Sequence, residues 1–331
     1  MNSTQDSIKQ ARAIQGTNRV SEVHLWIPGR CVFVLLLALR KLSNLILKGS
    51  CSRMEIDMNI LEENLRHWLR EDIGHGDVST ALTVPPGIMG KGRFLMKEDG
   101  VICGLTVVAK TFRIVDEVIV LTPLIDEGQS VKKGDVIAEV SGDLGKIMAG
   151  ERVALNLLQR LSGISTRTRA FVNEVQGYRA KILDTRKTTP GLRFLEKYAV
   201  TVGGGQNHRF GLYDGILIKD NHIKAAGGIT NALQLLNKTA PHYLAVQVEV
   251  ETLDELKEAL EFNVPAILLD NMTTEMMAEA VRINNGRAKL EASGNMTIER
   301  VKEVAATGVD YISAGSLTHS VKALDISLKV S

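Results

Sequence analysis

The stretch VQVEVETLDELKEALEFNVPAILLD, residues 246–270, contains the pattern that decides the fold. An alternating apolar strand comes first, an amphipathic helix follows, and a second apolar strand closes the unit. Strands that alternate with helices in this way favour a parallel sheet. The alternation also places Gln247, Glu249 and Glu251 on one face of the first strand and valines on the other. The sequence therefore predicts a parallel unit with carboxylates on one face of its sheet.

The same unit recurs through the second half of the chain. Short apolar runs, each followed by polar residues, predict strands at 182–183, 216–218, 246–250, 267–269, 290 and 311–312. Helical patterns fill the gaps in LDELKEALEF, TEMMAEAVRIN and TIERVKEVAAT. We therefore expect an α/β barrel, in which the polar loops after the strands converge on one mouth.

The first half has a different character. Apolar residues at helical spacing predict a helix at 59–69, and short β-rich runs between 92 and 140 predict a small barrel or sandwich. Residues 151–175 have the pattern of one or two core helices that lead into the second domain. We therefore divide the chain into a smaller α+β domain at 54–168, sandwich-like or barrel-like, and the α/β-barrel domain at 169–331.

The segment DEGQSVKKGDVIAEVSGD, residues 126–143, has two interpretations. Similar glycine-and-lysine hairpins occur in biotinyl and lipoyl carrier domains. The simpler interpretation is a hairpin with Lys132 and Lys133 on a solvated turn. We favour it, because the sequence setting of a modifiable carrier lysine is absent.

Composition restricts the classes of function and location. The 40 lysines and arginines nearly balance the 38 acids, so the charge gives no reason to expect nucleic acid as a partner. Cys31, Cys51 and Cys103 lack the paired spacing of a zinc site or a redox dithiol, and we expect a reducing cytoplasm. The apolar run 31–39 is much shorter than the about 20 residues that cross a bilayer, so we expect no membrane association and no secretory signal.

The most chemically informative stretch is DTRKTTPGLRFLEKYAVTVGGGQNHRFGLYDGILIKDNHI, residues 184–223. With the following residue it contains seven cationic side chains: Arg186, Lys187, Arg193, Lys197, Arg209, Lys219 and Lys224. Apolar residues separate these cations, unlike a solvated charge run. The glycines at 203–205 predict a flexible turn. The stretch therefore predicts a site for several anions.

Three segments, DTRKTTPG, GGGQNHR and KDNH, resemble quinolinate phosphoribosyltransferases, and the resemblance covers residues 54–331. It implies that quinolinate and phosphoribosyl pyrophosphate react to give nicotinate mononucleotide, carbon dioxide and pyrophosphate in de novo NAD synthesis. It also implies an open, incomplete barrel of about seven strands and a homodimer, or an assembly of such dimers. Because Met54 matches the usual family start, we expect residues 1–53 to be a poorly ordered extension or the product of a misassigned start codon.

The resemblance and the residue chemistry together suggest the roles in the site. A planar diacid suits the guanidinium forks of Arg186 and Arg209, whereas lysine suits phosphate. The expected substrate-binding residues are Thr185, Arg186, Lys187, His208, Arg209, Lys219, Glu249, Asp270, Ser293, Gly294, Asn295, Ala314, Gly315 and Ser316, together with Arg152 from the neighbouring subunit. Among them Lys187, Lys219, Glu249 and Asp270 are the expected catalytic residues. Glu249 and Asp270 are also expected to hold Mg²⁺ with the substrate phosphates.

Three alternatives stay open at this point. The first is a related phosphoribosyltransferase for nicotinate or another acid, including paralogues associated with molybdenum transport. The second is a non-catalytic metabolite-binding protein, and the third is an aldolase that forms a Schiff base on Lys219. The three arginines and His208 favour the diacid enzyme, because a monoacid needs fewer guanidinium forks.

Overall fold

The computed structural model describes residues 55–331. The predicted extension, with its apolar run, lies outside the described residues. No helix in the described range is long and apolar enough to cross a membrane.

The chain enters the described fold through two helices. Helix α1 (Met58–Ile73) starts at Asp57, whose carboxylate accepts hydrogen bonds from the first free backbone N–H groups of the helix. It buries leucines at helical spacing, as predicted, although Ile60 is exposed. Helix α2 (Val78–Thr83) follows in a segment for which no helix was predicted.

The first half then forms two small antiparallel sheets. The four-stranded sheet has the order β12-β1-β5-β3, and the two-stranded sheet pairs β2 with β4. Their bounds are β1 (Met89–Met96), β2 (Gly100–Val101), β3 (Val120–Pro123), β4 (Ser130–Val131), β5 (Val136–Asp143) and β12 (Ile326–Val330). The end of the chain thus returns to the sheet of the first half, which pattern analysis did not predict.

Helix α3 (Leu105–Val115) lies inside the segment that was predicted to be β-rich. Its sequence contains β-branched residues, which favour strands by local propensity. Tertiary packing overrides this preference, because Val107, Val108, Thr111 and Phe112 together form a buried helical face.

The predicted lysine turn is present. Lys132 is exposed and its ammonium group lies 2.8 Å from Asp99. The strands on either side of the turn, β4 and β5, belong to different sheets, so the segment is not a simple hairpin.

One long helix, α4 (Leu144–Glu174), fills the region where one or two helices were predicted. Gly163 within it allows close contact with a distant part of the chain. A Cβ atom at this position would lie 2.3 Å from the carbonyl oxygen of Lys322. The helix therefore packs directly against the chain segment that precedes β12.

The second half is the predicted α/β fold. Its parallel strands are β6 (Lys181–Leu183), β7 (Ile216–Ile218), β8 (Val246–Val250), β9 (Ala266–Asp270), β10 (Lys289–Ser293) and β11 (Tyr311–Ser313). The intervening helices are α5 (Arg193–Gly203), α6 (Asp220–Ala226), α7 (Ile229–Thr239), α8 (Leu253–Leu260), α9 (Thr274–Asn284) and α10 (Ile298–Ala306), and a 3₁₀ turn spans Gly315–Leu317.

The strand order β6-β11-β10-β9-β8-β7 leaves this sheet open within residues 55–331. The resemblance implied about seven strands, whereas the described sheet has six. An isolated parallel bridge between Leu183 and Gln206 extends the β6 edge at the place of a further strand. The fold is therefore an incomplete α/β barrel.

Candidate active site

A cavity of about 580 Å³ opens at the carboxyl ends of the parallel strands. Every predicted site residue except Arg152 lines it: Thr185, Arg186, Lys187, His208, Arg209, Lys219, Glu249, Asp270, Ser293, Gly294, Asn295, Ala314, Gly315 and Ser316. Arg152 lies on an exposed part of α4 and does not line the cavity of its own chain. The strand topology thus gathers residues that are far apart in sequence at one mouth.

The cation-rich stretch divides into two groups. Only Arg186, Lys187, Arg209 and Lys219 of its seven cations line the cavity. These four are the cations of the stretch that were expected to bind substrate, and the other three, Arg193, Lys197 and Lys224, do not line the cavity. Arg193 and Lys197 lie on helix α5, which was not predicted, whereas Lys224 is exposed on helix α6.

The three remaining cations have partners outside the cavity. Lys197 forms a completely buried ion pair with Asp184, and Lys224 forms an exposed one with Asp220. Arg193 Nε donates a hydrogen bond of 2.9 Å to the hydroxyl of Thr188. This bond anchors the loop that carries two of the lining cations.

The glycines at 203–205 allow close packing, and a flexible turn stays a prediction. A Cβ atom on Gly203 would lie 2.6 Å from Cβ of Thr168, and one on Gly205 would lie 2.8 Å from Val200. Only Gly204 has a positive φ, of 99°, where it ends helix α5. The turn is therefore held against α4.

Asp184 is buried and accepts hydrogen bonds from two other parts of the site region. Its Oδ1 accepts hydrogen bonds from Lys197 Nζ at 2.5 Å and from the backbone N–H of His208 at 2.8 Å. Burial raises the pKa of Asp184 to about 6, although Lys197 and His208 act in the opposite direction. Burial also lowers the pKa of Lys197, against the effect of Asp184. The pair fixes the start of the loop that contains His208 and Arg209.

One of the two cavity arginines has a buried donor that is available for an anion. Within the described residues, Arg186 Nε is buried and has no hydrogen-bond partner. Arg209 Nη1 donates to the carbonyl of Gly215 at 2.9 Å, and burial together with the nearby charge of Arg186 lowers the pKa of Arg209. Because buried donors in proteins are nearly always paired, these groups are suited to a bound carboxylate.

The acidic side of the cavity contains Glu249, Asp270 and the cation Lys219. Lys219 Nζ lies 3.0 Å from Glu249 Oε2. Burial and the neighbouring charge of Glu249 raise the pKa of Asp270, and Lys219 partly offsets them. A further cation would therefore stabilise the ionised forms of these acids.

Glu249 and Asp270 are the candidate magnesium ligands of this cavity. The described residues contain no group of three His, Cys, Asp or Glu side chains that could hold a metal. Mg²⁺ is commonly bound through one or two carboxylates together with substrate phosphates and water. Glu249 and Asp270 fit that mode, because burial and the charge of Glu249 raise the pKa of Asp270 and a bound cation would offset both effects.

The loop after β10 is shaped by a close backbone approach. Gly294 has a φ of 88°, and a Cβ atom there would lie 2.2 Å from the side-chain oxygen of Asn271. Arg300 donates to the carbonyl oxygens of Gly294 and Met272 at 3.2 and 2.7 Å. Asn295 follows with a φ of 50°. This compact loop precedes α10, and such loops bind phosphate in many barrel proteins.

The loop after β11 lines the same cavity as the loop after β10. A Cβ atom on Gly315 would lie 2.8 Å from Lys187 Cδ, so the missing side chain makes room for the lysine. In the described part of the chain, Ser316 Oγ is buried without a hydrogen-bond partner. Ala314, Gly315 and Ser316 therefore offer a small-residue surface with an available hydroxyl group.

Sequence reasoning missed seven lining residues: Leu217, Leu268, Glu291, Met296, Thr297, Ser313 and His319. Strand periodicity contains the signal for four of them. Counting back two positions from Lys219, Asp270, Ser293 and Gly315 gives Leu217, Leu268, Glu291 and Ser313, which share the same face. Met296, Thr297 and His319 lie in loops, where the sequence offers no comparable rule.

Comparison with known proteins follows the same division of the chain. Residues 77–162 match the quinolinate phosphoribosyl transferase N-terminal domain, and residues 164–329 match the C-terminal domain. A probable carboxylating nicotinate-nucleotide pyrophosphorylase from Synechocystis is 45% identical over 82% of this chain and 92% of the relative. A Bacillus subtilis protein of the same name is 44% identical over 82% of this chain and 93% of its own length.

Solved structures agree with the sequence comparison. The nicotinate-nucleotide pyrophosphorylase from Francisella tularensis superimposes with a TM-score of 0.81 at 38% identity, over 86% of this chain and 100% of the other. NadC from Streptococcus pyogenes gives 0.80 at 40% identity, over 84% of this chain and 99% of the other. On the strength of these matches and the shared fold, the chain belongs to the quinolinate phosphoribosyltransferase family.

Proposed function

We propose that this protein is a carboxylating nicotinate-nucleotide pyrophosphorylase of de novo NAD synthesis. It joins quinolinate to phosphoribosyl pyrophosphate and releases carbon dioxide and pyrophosphate. The observation that supports this most directly is the cavity that combines two arginines, two lysines and three acids. The partner-free Nε of Arg186 adds a donor that a substrate carboxylate can satisfy. Relatives that are 44–45% identical over most of both chains carry this enzyme name.

The reaction mainly requires position and charge compensation. The pyridine nitrogen attacks C1 of the ribose while pyrophosphate leaves, so the first step needs no proton abstraction. Arg186 and Arg209 hold the diacid, and Lys187 and Lys219 neutralise phosphate oxygens. Each charge-assisted contact is worth about 1.5–3 kcal/mol. Loss of one contact therefore costs about ten- to a hundredfold in rate.

Magnesium is part of this proposal. Glu249 and Asp270 would hold the ion together with the phosphate groups of the substrate. A bound Mg²⁺ would supply positive charge for the departing pyrophosphate. The raised pKa of Asp270 beside Glu249 supports this, because the two acids repel each other when both are ionised.

We also propose a homodimer in which Arg152 completes the cavity of the neighbouring subunit. Two observations support it. Arg152 is exposed, and it does not line the cavity of its own chain. A two-fold dimer would present the same arginine to both sites.

We place the enzyme in the cytoplasm, where reduced cysteines are the rule. Cys103 is buried, as expected for a structural cysteine. Cell fractionation with an antibody against the protein would test this location, and recovery in an organelle or membrane fraction would contradict it.

The proposed function is tested by an assay of the purified protein with phosphoribosyl pyrophosphate and Mg²⁺. Quinolinate and nicotinate are offered in parallel, and nicotinate mononucleotide and carbon dioxide are measured. We expect product from quinolinate alone and its loss in Arg186→Ala. The matched control is Arg282→Ala, because Arg282 lies on the exposed side of α9 and pairs with Glu279. Product only from nicotinate, or from neither acid, would contradict the proposal.

A further inference from the structure

His208 is held through both of its ring nitrogens. Nδ1 lies 2.7 Å from the backbone nitrogen of Arg209, which donates to it. Nε2 lies 3.0 Å from the side-chain oxygen of Gln247. A backbone N–H is only a donor, so Nδ1 must be the unprotonated acceptor. The ring therefore carries its proton on Nε2, and it donates that proton to Gln247.

The chain of hydrogen bonds continues to a buried carboxylate. Gln247 Nε2 donates to Glu291 Oε2 at 2.8 Å, and the same oxygen lies 3.5 Å from His208 Nε2. Glu291 is only 3% exposed and lies at the base of the cavity. Burial alone would raise its pKa, but His208, Gln247 and Ser313 together lower it below the ordinary value. Glu291 is therefore ionised and accepts hydrogen bonds without donating any.

Glu291 can only accept hydrogen bonds. This fixes which atoms of Gln247 and His208 donate and which accept. Glu291 requires the amide nitrogen of Gln247, which leaves the amide oxygen facing His208. The oxygen in turn requires a proton on Nε2, so Nδ1 remains an acceptor for the Arg209 N–H. Each orientation is the only one that satisfies its neighbours.

We propose that Glu291, acting through Gln247, fixes the tautomer of His208 and thereby positions Arg209 for a carboxylate of the substrate. This proposal rests on the proposed function, because it assigns a substrate carboxylate to Arg209. In this view Glu291 is a positioning residue that acts on substrate binding through His208. His208 itself holds the backbone of Arg209 and does not use a free ring nitrogen to bind substrate. That differs from our sequence-based expectation of a direct contact between the imidazole and quinolinate.

The arrangement has a consequence for pH. Protonation of His208 places a second proton on Nδ1, and the Arg209 N–H then loses its acceptor. The groups that face His208 are Glu291, Gln247, Lys197 and Asp184, and Asp184 accepts the His208 backbone N–H. Burial and Lys197 oppose protonation of the ring, whereas Glu291 and Gln247 outweigh them and raise its pKa. We therefore expect quinolinate binding to weaken as the pH falls through the pKa of His208.

The first test reads the tautomer directly, without substrate. Histidine labelled with ¹⁵N is incorporated into the full-length protein, and the ring nitrogens are followed by NMR between about pH 5 and 8.5. A His208→Gln variant identifies the signals. We expect a protonated Nε2 and an unprotonated Nδ1 at the upper end of this range. A proton on Nδ1 at high pH would overturn the proposal. The tautomer is read in the wild type, and a variant is needed only to assign the His208 signals.

The second test uses Glu291→Gln, which keeps the shape of the side chain and removes its charge. The amide introduced by this substitution can donate as well as accept. The side-chain amide of Gln247 can then exchange the positions of its oxygen and nitrogen, and His208 loses its single tautomer. We expect the His208 titration and the acid limb of kcat/KM to move together to lower pH, by about one unit. The KM for quinolinate should rise about tenfold while that for phosphoribosyl pyrophosphate stays within about twofold.

The matched control is Glu303→Gln, on the exposed side of α10, which should change none of these quantities. An equal rise of both KM values in Glu291→Gln would indicate general damage to the cavity and overturn the proposal. So would an unshifted His208 titration. If the wild type does not use quinolinate, the proposed function fails, whereas the NMR measurement still decides whether Glu291 controls the tautomer.

Discussion

Lys197 and Asp184 form an ion pair in which neither side chain is exposed to solvent. Removal of one partner leaves the other as an unpaired buried charge, which typically costs about 3–5 kcal/mol. We therefore predict that Lys197→Met lowers the free energy of unfolding by about 3–5 kcal/mol. Urea denaturation followed by circular dichroism measures this change.

The matched control for this pair lies on the surface of the same domain. Lys224 is 75% exposed and pairs with Asp220 over 3.1 Å, so Lys224→Met should leave the denaturation midpoint unchanged. The double variant Asp184→Asn with Lys197→Met should recover part of the loss, because it removes both charges. Equal midpoints for Lys197→Met and the wild type would show that the buried pair is not a stabilising unit.

Gly294 cannot accept a side chain without moving the phosphate loop. An added Cβ atom would lie 2.2 Å from the Asn271 side-chain oxygen and 2.7 Å from its backbone nitrogen. We predict that Gly294→Ala raises the KM for phosphoribosyl pyrophosphate about tenfold, the equivalent of one lost charge-assisted contact. Steady-state kinetics with quinolinate at saturation measures it.

Gly286 provides a control with the same backbone strain. Its φ is 77°, but nothing lies within 4 Å of an added Cβ atom. Gly286→Ala should therefore lose a similar amount of stability to the positive φ, about 1–2 kcal/mol, and keep the wild-type KM. If both variants have a similar KM for phosphoribosyl pyrophosphate, Gly294 does not contribute to phosphate binding.

The pair formed by His208 and Glu291 predicts a definite pH dependence of stability. The pKa of His208 is raised above 6.5 in the folded protein, so its contribution is complete below pH 6.5 and is lost as the pH rises through the folded value. The pKa of Glu291 is lowered below 4.5, so its contribution is complete above pH 4.5 and is lost as the pH falls through the folded value. The pair should stabilise the fold most between pH 4.5 and 6.5.

This window is measured as the difference in unfolding free energy between the wild type and His208→Gln. The difference should be greatest inside the window and should decrease as the pH rises above 6.5. Use of the difference cancels titrations that both proteins share. A difference that grows with rising pH would contradict the sign of the predicted shift.

Magnesium should bind mainly as a complex with substrate. Only two carboxylates, Glu249 and Asp270, are proposed as ligands, and Mg²⁺ usually needs phosphate oxygens beside such a pair. Titration calorimetry should therefore detect little Mg²⁺ binding to the protein alone and clear binding once phosphoribosyl pyrophosphate is present. Asp270→Asn should weaken the second binding. The exposed Asp254→Asn is the control, because Asp254 pairs with Lys257 on the surface. Tight binding of Mg²⁺ without substrate would contradict the proposed mode.

Much of the fold could be predicted because its signals are local. The strands β8 and β9 and the helix α8 between them follow directly from the alternation and helical spacing in residues 246–270. Helix α3 was missed because its β-branched sequence satisfies two patterns, and burial on one face decides between them. The pairing of β12 with β1 was missed because it joins residues from opposite ends of the described chain.

Prediction of the candidate site from the sequence was limited in the same way. Residues that follow a strand directly, such as Lys219 and Asp270, could be placed at the mouth from their position alone. Glu291 was overlooked although it lies two positions before Ser293 on the same strand. The role of Lys197 could not be predicted, because only the fold shows that α5 turns it toward Asp184. Charge pattern alone therefore located the site, whereas strand position and the family resemblance selected the four cations that line it.

The position of Arg152 predicts that two different inactive subunits can restore each other. If Arg152 serves the neighbouring cavity and Arg186 its own, each site needs one residue from each chain. Arg152→Ala and Arg186→Ala should then both be inactive as pure dimers. A mixed dimer contains one intact site and one site with both defects. Random mixing in equal amounts makes about half of the dimers mixed, so about one quarter of the wild-type activity should return.

The measurement is a quinolinate assay after the two variants are denatured together and refolded, or co-expressed with different tags and purified as the mixed dimer. The purified mixed dimer should have about half of the wild-type activity, because one of its two sites is intact. As a control, Lys187→Ala mixed with Arg186→Ala should stay inactive, since both residues line the cavity of the same chain. Recovery in this control, or none with Arg152→Ala, would show that Arg152 does not act across a subunit boundary.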